Sequence, residues 1–313
     1  MHFVIVGCGA VGGYFGGRLA EHGEEVTFVA RGEQCKIMQK SGLTIKSIDG
    51  DIALDNLKVV NAESLTAASL ATPADVIFIC VKSYQLSTAI AQIKPLVLAH
   101  TRVIPLLNGV NAADVLQQHG IAAENITGGL AKIIAEKTAD GAINHSGAKP
   151  HITLGAFEHN NATAETAQLS AIAKCLKLAG ISVGVTRDIH LALWRKFIFV
   201  AAWGALAAAR ELNLGEIRAQ SHIEFLLERI VNEYADIAGK LGIKLGEKHI
   251  KETLSFLSRL PDSSETSLQR DLANGRQSEF DSLIAYPMDL VKQYSLSAPV
   301  LTQCYEKITE RLQ

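Results

Sequence analysis

The sequence has no C-x-x-C pair, and its five cysteines (Cys8, Cys35, Cys80, Cys175 and Cys304) are odd in number and scattered. That argues against a disulfide framework and against a zinc site, and predicts reduced thiols in a cytoplasmic protein. Net charge is almost absent, −2 in total, so nothing draws a nucleic acid or an anionic membrane. A small charged substrate must then be captured by a few placed residues. The first residues lack the basic flank, long apolar run and small-residue cleavage site of a signal peptide. The longest apolar run, Phe197 to Ala209, is interrupted by Gly204 and falls short of the ~20 residues a bilayer needs. The ten histidines show no metal-ligand spacing, so no metal is expected. His145, His151 and His190 are read as surface or structural. Internal repeats, low-complexity tracts and flexible linkers are also missing.

What is present has the balance of a compact enzyme, 48% hydrophobic and 20% charged over 313 residues, enough for two domains. The first half alternates short β-branched runs with helical stretches, the pattern of a parallel sheet covered by helices. Strands are expected at Phe3–Val6, Val26–Val29, Val76–Val81, Val103–Leu106 and Ile126–Gly128. A helix over Gly12–His22 follows the first of them. Leu43 to Val60 reads as a hairpin around Asp49-Gly50-Asp51, placed after the third helix, and Ala131 to Gly155 as further strands. From His190 onward almost everything has helical period, with breaks expected at Gly215, Gly242, Pro261–Ser264 and Ser297–Pro299. The boundary is placed near residue 186, giving domains 1–186 and 187–313 around a cleft.

Gly7-Cys8-Gly9-Ala10-Val11-Gly12 is G-x-G-x-x-G between an apolar strand and a helix rich in small residues (Gly13, Gly16, Gly17, Ala20). The first glycine permits a tight turn and the second lets a pyrophosphate approach the backbone. The third lets helix and strand pack closely, with the helix N-terminus facing the phosphates. This context predicts a Rossmann dinucleotide site. Sites for NAD carry an acid at the end of the second strand, against the ribose 2′-hydroxyl. Here that position is Arg31, whose guanidinium can grip a 2′-phosphate. NADP(H) is therefore expected over NAD(H), with Lys36 a candidate for added charge. Two later strands end in Lys82 and Asn108. Ligands of open α/β sheets bind outside the carboxyl ends of the strands, so both are candidates to line the nicotinamide ribose or the substrate, and equally to cap a following helix or turn.

In the second half, Leu193-Trp194-Arg195-Lys196-Phe197 opens a strongly apolar helix. A cation beside Lys196 and apolar neighbours make its proton easier to give up, as donation to a carbonyl oxygen requires. By itself a lysine near a helix start is more often a solvated cation. Gly275 should end one helix and Ser278-Glu279-Phe280-Asp281 begin another. Acids in a first helical turn are commonly dipole partners only.

Together these segments resemble the ketopantoate reductase (2-dehydropantoate 2-reductase) family. The likeness runs nearly end to end, through the glycine motif, Val29-Ala30-Arg31-Gly32, Val81-Lys82-Ser83, Leu107-Asn108-Gly109, Leu193-Trp194-Arg195-Lys196-Phe197, Ser267-Leu268-Gln269-Arg270-Asp271, Ser278-Glu279-Phe280-Asp281 and Ala298-Pro299-Val300. The resemblance implies an α/β Rossmann N-terminal domain followed by an all-α domain of the 6-phosphogluconate-dehydrogenase-like helical type. It implies Lys196 as general acid for the ketone oxygen, and Glu279 as holder of substrate hydroxyls that also orients Lys196. Ser267 would take the substrate carboxylate, Asn108 would lie beside cofactor and substrate, and Arg31 would hold the 2′-phosphate. The implied reaction is reduction of 2-dehydropantoate to pantoate with NADPH, a step of pantothenate biosynthesis.

The chain departs from the family pattern at three positions. Where that pattern has asparagines one and two turns after the lysine, this sequence has Val200 and Gly204, and a third asparagine, three residues before Ser267, is Ser264. A substrate hydroxyl is less well specified by such a pocket, which admits a reductase of a more apolar 2-oxo acid as an alternative. A non-catalytic NADPH-binding sensor is a further alternative, against which Lys196 and Glu279 both stand. An NADP-linked β-hydroxyacid dehydrogenase is disfavoured by the missing mid-chain glycine-rich motif. The apolar helix around Trp203 suits a core or the seam of a homodimer equally.

Overall fold

A computed structural model describes residues 1–147, 149–157 and 162–313. It divides into two compact units, Met1–Leu107 with Asn111–Ile189, and Asn108–Val110 with His190–Gln313.

The first unit is built on a five-stranded parallel sheet of β1 (His2–Val6), β2 (Glu25–Ala30), β5 (Lys58–Asn61), β6 (Val76–Ile79) and β7 (Arg102–Pro105). Its order is β5-β2-β1-β6-β7, with Phe3 opposite Val26 on one side of β1 and Val76 on the other. The order reverses between β1 and β6, which makes their carboxyl ends the switch point where such sheets take ligands. The inner strands are buried on both faces and send alternate side chains into different cores. Phe3, Ile5, Phe28, Phe78 and Ile104 meet Phe15 and Leu19 of α1 (Ala10–Glu21). Val4, Val6, Ile77, Ile79 and Val103 meet Ile90 and Ile93 of α3 (Leu86–Ile93) and Leu116 of α4 (Ala112–Gln118).

Between β2 and β5 lie α2 (Gly32–Ser41) and an antiparallel hairpin of β3 (Leu43–Ser47) and β4 (Ile52–Leu54). The expected hairpin is thus shorter, follows the second helix, and releases Lys58–Asn61 to the main sheet. Its strand β3 pairs with β10 (Ile143–His145), which pairs with β9 (Ala135–Lys137). The strand expected at Ile126–Gly128 is divided. Ile126 makes a single bridge to Val103, while β8 (Gly128–Lys132) begins a separate sheet with β11 (His151–Gly155) and β12 (Ser182–Val185), covered by α5 (Ala162–Leu178).

The second unit is helical, with α6 (Ile189–Arg210), α7 (Leu214–Arg218), α8 (Ser221–Lys240), α9 (Glu247–Leu257), α10 (Ser267–Ala273), α11 (Tyr286–Gln293) and α12 (Pro299–Leu312). Along α6 the residues from Ala201 to Ala209 are buried. This 22-residue helix is long and apolar enough to cross a membrane by length and composition, yet it is the core helix of its unit. The break expected at Gly215 is instead the interior of α7. Asn213 and Glu216 form a capping box there. The glycine is needed because a Cβ would come within 2.6 Å of Asp262 Cβ. Glu233 of α8, 6% exposed, accepts the Val300 and Leu301 backbone N–H groups at 3.0 and 2.8 Å, tying α8 to the start of α12.

Candidate active site

The glycine turn joins β1 to α1. Gly7 has φ +95°, left-handed backbone that only glycine adopts cheaply, and a Cβ on it would meet Cys80 and Val81 at 2.9 Å. At Gly12 a Cβ would overlap the carbonyl oxygen of Gly7 and approach Ile5 Cγ2 to 3.0 Å. At Gly9, which caps α1, a Cβ would find nothing within 4 Å. Two of the three glycines are therefore demanded by packing, and the third leaves open space over a helix N-terminus. A pyrophosphate needs such a cradle. The thiol of Cys8 turns inward, donating toward Val29 O at 3.5 Å. Burial pushes it well up, and pushes neighbouring Cys80 up to about 12. Both stay protonated, so Cys8, Ala10 and Val11 offer the cradle only backbone. Among the described residues no group of three His, Cys, Asp or Glu side chains is arranged to hold a metal.

Arg31 directly follows β2 and takes the cap position of α2 in extended backbone, with its side chain exposed. Lys36 pairs with Glu33 at 3.7 Å on the solvent side of α2. Lys82 is half-buried and precedes the short helical turn Ser83–Gln85, without a side-chain cap bond there.

The second unit holds the remaining candidates. Asn108 does not cap a local element. Its Nδ2 donates to Glu279 Oε2 at 3.1 Å, across a sequence separation of 171. Glu279 is only 3% exposed and precedes a π-helical turn over Asp281–Ala285 that leads into α11. Such turns are often found where a side chain must be re-aimed at a functional site. Lys196 lies in the first half of α6, half-buried. Arg195 beside it pairs with Glu252 of α9 at 2.7 Å. Ser267 is the first residue of α10, half-buried. Thr266 fixes it there by accepting the N–H of Gln269 at 3.1 Å. That cap went unread in the sequence, although Thr266 followed by Gln269 is a capping-box spacing. The face of α6 that carries Lys196 leads toward this segment, since a Cβ on Gly204 would lie 3.6 Å from Leu268 Cδ2 and 3.9 Å from Thr266 Oγ1.

The chain is similar to known proteins over nearly its whole length. The uncharacterized oxidoreductase YkpB of Bacillus subtilis (strain 168) is 28% identical over 98% of both chains. In fold the chain is similar to 2-dehydropantoate 2-reductase from Geobacter metallireducens GS-15, with a TM-score of 0.88, 24% identity and 99% of each chain covered. It is also similar to D-mandelate dehydrogenase, solved with NADH and anilino(oxo)acetate, with a TM-score of 0.87, 22% identity, and 100% and 98% covered. Residues 3–159 match the model for ketopantoate reductase PanE/ApbA and residues 188–312 its C-terminal counterpart. The chain therefore belongs to the ketopantoate reductase PanE/ApbA family, with that family's N- and C-terminal domains.

Proposed function

We propose that this oxidoreductase reduces a branched 2-oxo acid to the 2-hydroxy acid with NADPH in the cytoplasm, 2-dehydropantoate to pantoate being the reaction of pantothenate biosynthesis that it would serve. The observation that carries the reading is the 3.1 Å bond between Asn108 and the buried carboxylate of Glu279. It joins two polar groups that lie 171 residues apart in sequence. The curated and solved relatives support the substrate class, since 2-dehydropantoate 2-reductase and D-mandelate dehydrogenase both interconvert a 2-oxo and a 2-hydroxy acid by name.

Gly7, Gly9 and Gly12 would hold the pyrophosphate against the N-terminus of α1 and Arg31 the 2′-phosphate, with Lys82 and Asn108 toward the ribose. When bound, the dinucleotide supplies the hydride that ends on the carbonyl carbon, and NADP⁺ leaves. Lys196 gives its proton to the carbonyl oxygen, so that the ketone becomes an alcohol without building up an alkoxide. Glu279 keeps Lys196 charged and oriented between turnovers, and Asn108 holds Glu279 in place. Ser267, fixed by the Thr266 cap, receives the substrate carboxylate.

NADPH oxidation over a panel of 2-oxo acids tests the reading, with Lys196→Ala alongside. Turnover should fall by at least the roughly 10²-fold typical of a lost general acid, while NADPH binding survives. Failure of every 2-oxo acid to support NADPH oxidation removes the activity. Unchanged turnover in the variant removes Lys196 from it.

A further inference from the structure

Tyr234 of α8 is fully buried, at 0% exposure, and its hydroxyl donates to the carbonyl oxygen of Leu283 at 2.8 Å. Leu283 lies inside the π-helical turn that follows Glu279. In an α-helix its carbonyl would accept the N–H of the residue four positions on. That residue is Pro287, which has none. The tyrosine supplies a donor that the proline lacks. A buried carbonyl left short of one is costly, so turn and tyrosine depend on each other. From Leu283 the linkage reaches Glu279 close by, because the Glu279 carbonyl oxygen accepts the Leu283 N–H at 3.0 Å and the Ser282 hydroxyl at 3.2 Å.

The ring of the same tyrosine faces α6. It meets the ring of Phe197 edge-on, 5.8 Å between centres and 73° between planes, and Phe197 meets Trp194 in the same manner at 5.2 Å. None of the three residues is more than 3% exposed. Edge-on pairs prefer a definite geometry and contribute beyond their buried area. Phe197 follows Lys196 on the helix, so pinning one fixes the direction in which the other leaves α6. Burial drives the Tyr234 phenol well above its ordinary range, so the hydroxyl stays a donor at any working pH. One side chain thus touches both the stretch of α6 that bears Lys196 and the turn beyond Glu279.

Resting on the proposed roles of Lys196 and Glu279 in reducing a 2-oxo acid, we infer that Tyr234 is a positioning residue for that reaction. It meets no substrate. It sets where α6 and the turn beyond Glu279 stand relative to each other, and with them the proton donor and its carboxylate partner.

NADPH oxidation, with whichever 2-oxo acid wild type turns over fastest, tests this in three variants. Tyr234→Phe keeps the ring and deletes the hydroxyl, Phe197→Leu deletes the edge contact, and the third carries both changes. A misplacement of about 1 Å can cost about 10²-fold. Tyr234→Phe should therefore lose about tenfold to 10²-fold in kcat, while KM and NADPH affinity stay within about threefold of wild type. Two breaks in one brace count once, so the double variant should fall no more than about threefold below the slower single one. Losses that multiply in the double variant, or a Tyr234→Phe kcat within about twofold of wild type, overturn the inference and leave the reductase reading standing. Asn213→Ala, which breaks the capping box of α7, controls for loosening of the unit as a whole. An equal loss of kcat in that variant also overturns the inference. If Tyr234→Phe does not fold, Phe197→Leu decides by the same limits. A wild type that oxidises NADPH with no 2-oxo acid overturns the reductase reading and the inference together.

Discussion

The glycine turn allows stability and binding to be separated by two single methyl groups. In Gly12→Ala the new Cβ overlaps a backbone oxygen, that of Gly7, and meets Ile5 Cγ2 at 3.0 Å. No rotamer change relieves a clash with backbone, so the cost belongs at the upper end of overpacking, about 3 kcal/mol. Alanine returns about 1 kcal/mol through helix propensity. The net loss of about 2 kcal/mol lowers Tm by roughly 4–8 °C for a unit of this size. Gly9→Ala places its methyl in open space, on backbone of φ −79° that alanine adopts without strain. Its stability should stay within about 0.5 kcal/mol of wild type. The same methyl occupies the surface on which a pyrophosphate would lie, and a steric cost of about 1–3 kcal/mol there weakens NADPH roughly 10- to 100-fold. Thermal unfolding without ligand and fluorescence titration with NADPH read the two effects separately. A Gly9→Ala protein that binds NADPH as tightly as wild type would show that the phosphates do not cross this turn. A Gly12→Ala protein of unchanged Tm would show that the close approach of α1 to β1 is not needed.

Arg31→Ala should weaken NADPH by roughly 10- to 100-fold, as expected for one or two charge-assisted bonds to a phosphate, and leave NADH where it was; equal losses for the two cofactors would take Arg31 away from the 2′-phosphate. Glu233→Ala strands two N–H donors at the start of α12 and should cost about 2 kcal/mol in chemical denaturation, a loss below about 0.5 kcal/mol meaning that solvent replaces the carboxylate. Burial raises Glu233, outweighing the N–H groups of Leu301 and Val300 that lower it. A carboxyl raised on folding contributes stability below its ordinary pKa of about 4.3 and loses it as pH climbs through the raised value. Wild type should therefore lose ground against Glu233→Gln as pH rises above about 4.3, and a wild type that gains instead would mean the N–H groups dominate. Burial and then Lys132 hold the His151 imidazole below its usual range, so protonation favours the unfolded chain and His151→Gln should soften the fall in stability as pH drops through about 6.5 and below.

The dinucleotide half was legible because local demands and long-range ones coincide in one short string. Gly7 needs left-handed backbone, Gly12 needs contact without a side chain, and the apolar residues on either side alternate at the periods of strand and helix. Chain order then fixed little about the smaller sheets. Strand β3 finds β10 about a hundred residues later, with Ile45 opposite Ile143, and no pattern in either segment announces that choice. Gly215 misled for a related reason. Glycine reads as a breaker when its neighbours are unknown, but here it answers to Asp262, whose backbone accepts its N–H at 2.8 Å. The bond between Asn108 and Glu279 was equally invisible to spacing. Each residue alone fits a turn or a helix start, and only the fold makes them one unit.

The apolar run that invites a membrane reading is better understood as what would hold the proposed proton donor still. A general acid must stay within a fraction of an ångström of its acceptor, which requires a support whose own side chains are locked by packing. Over Ala201–Ala209 the helix α6 is buried by its neighbours, with Ala201, Ala205, Leu206 and Ala207 at 0% exposure. Small side chains let those neighbours approach closely all round. Toward its start the same helix gains Lys196, half-buried, and Arg195, tied to Glu252. Phe199 adds an edge contact to Phe256 of α9 at 5.1 Å between ring centres. The lysine is thus carried on the core helix of its unit, just before the run Ala201–Ala209 that packing covers. Apolarity and the proposed catalysis are not competing explanations of this helix, because the first would supply the rigidity on which the second depends.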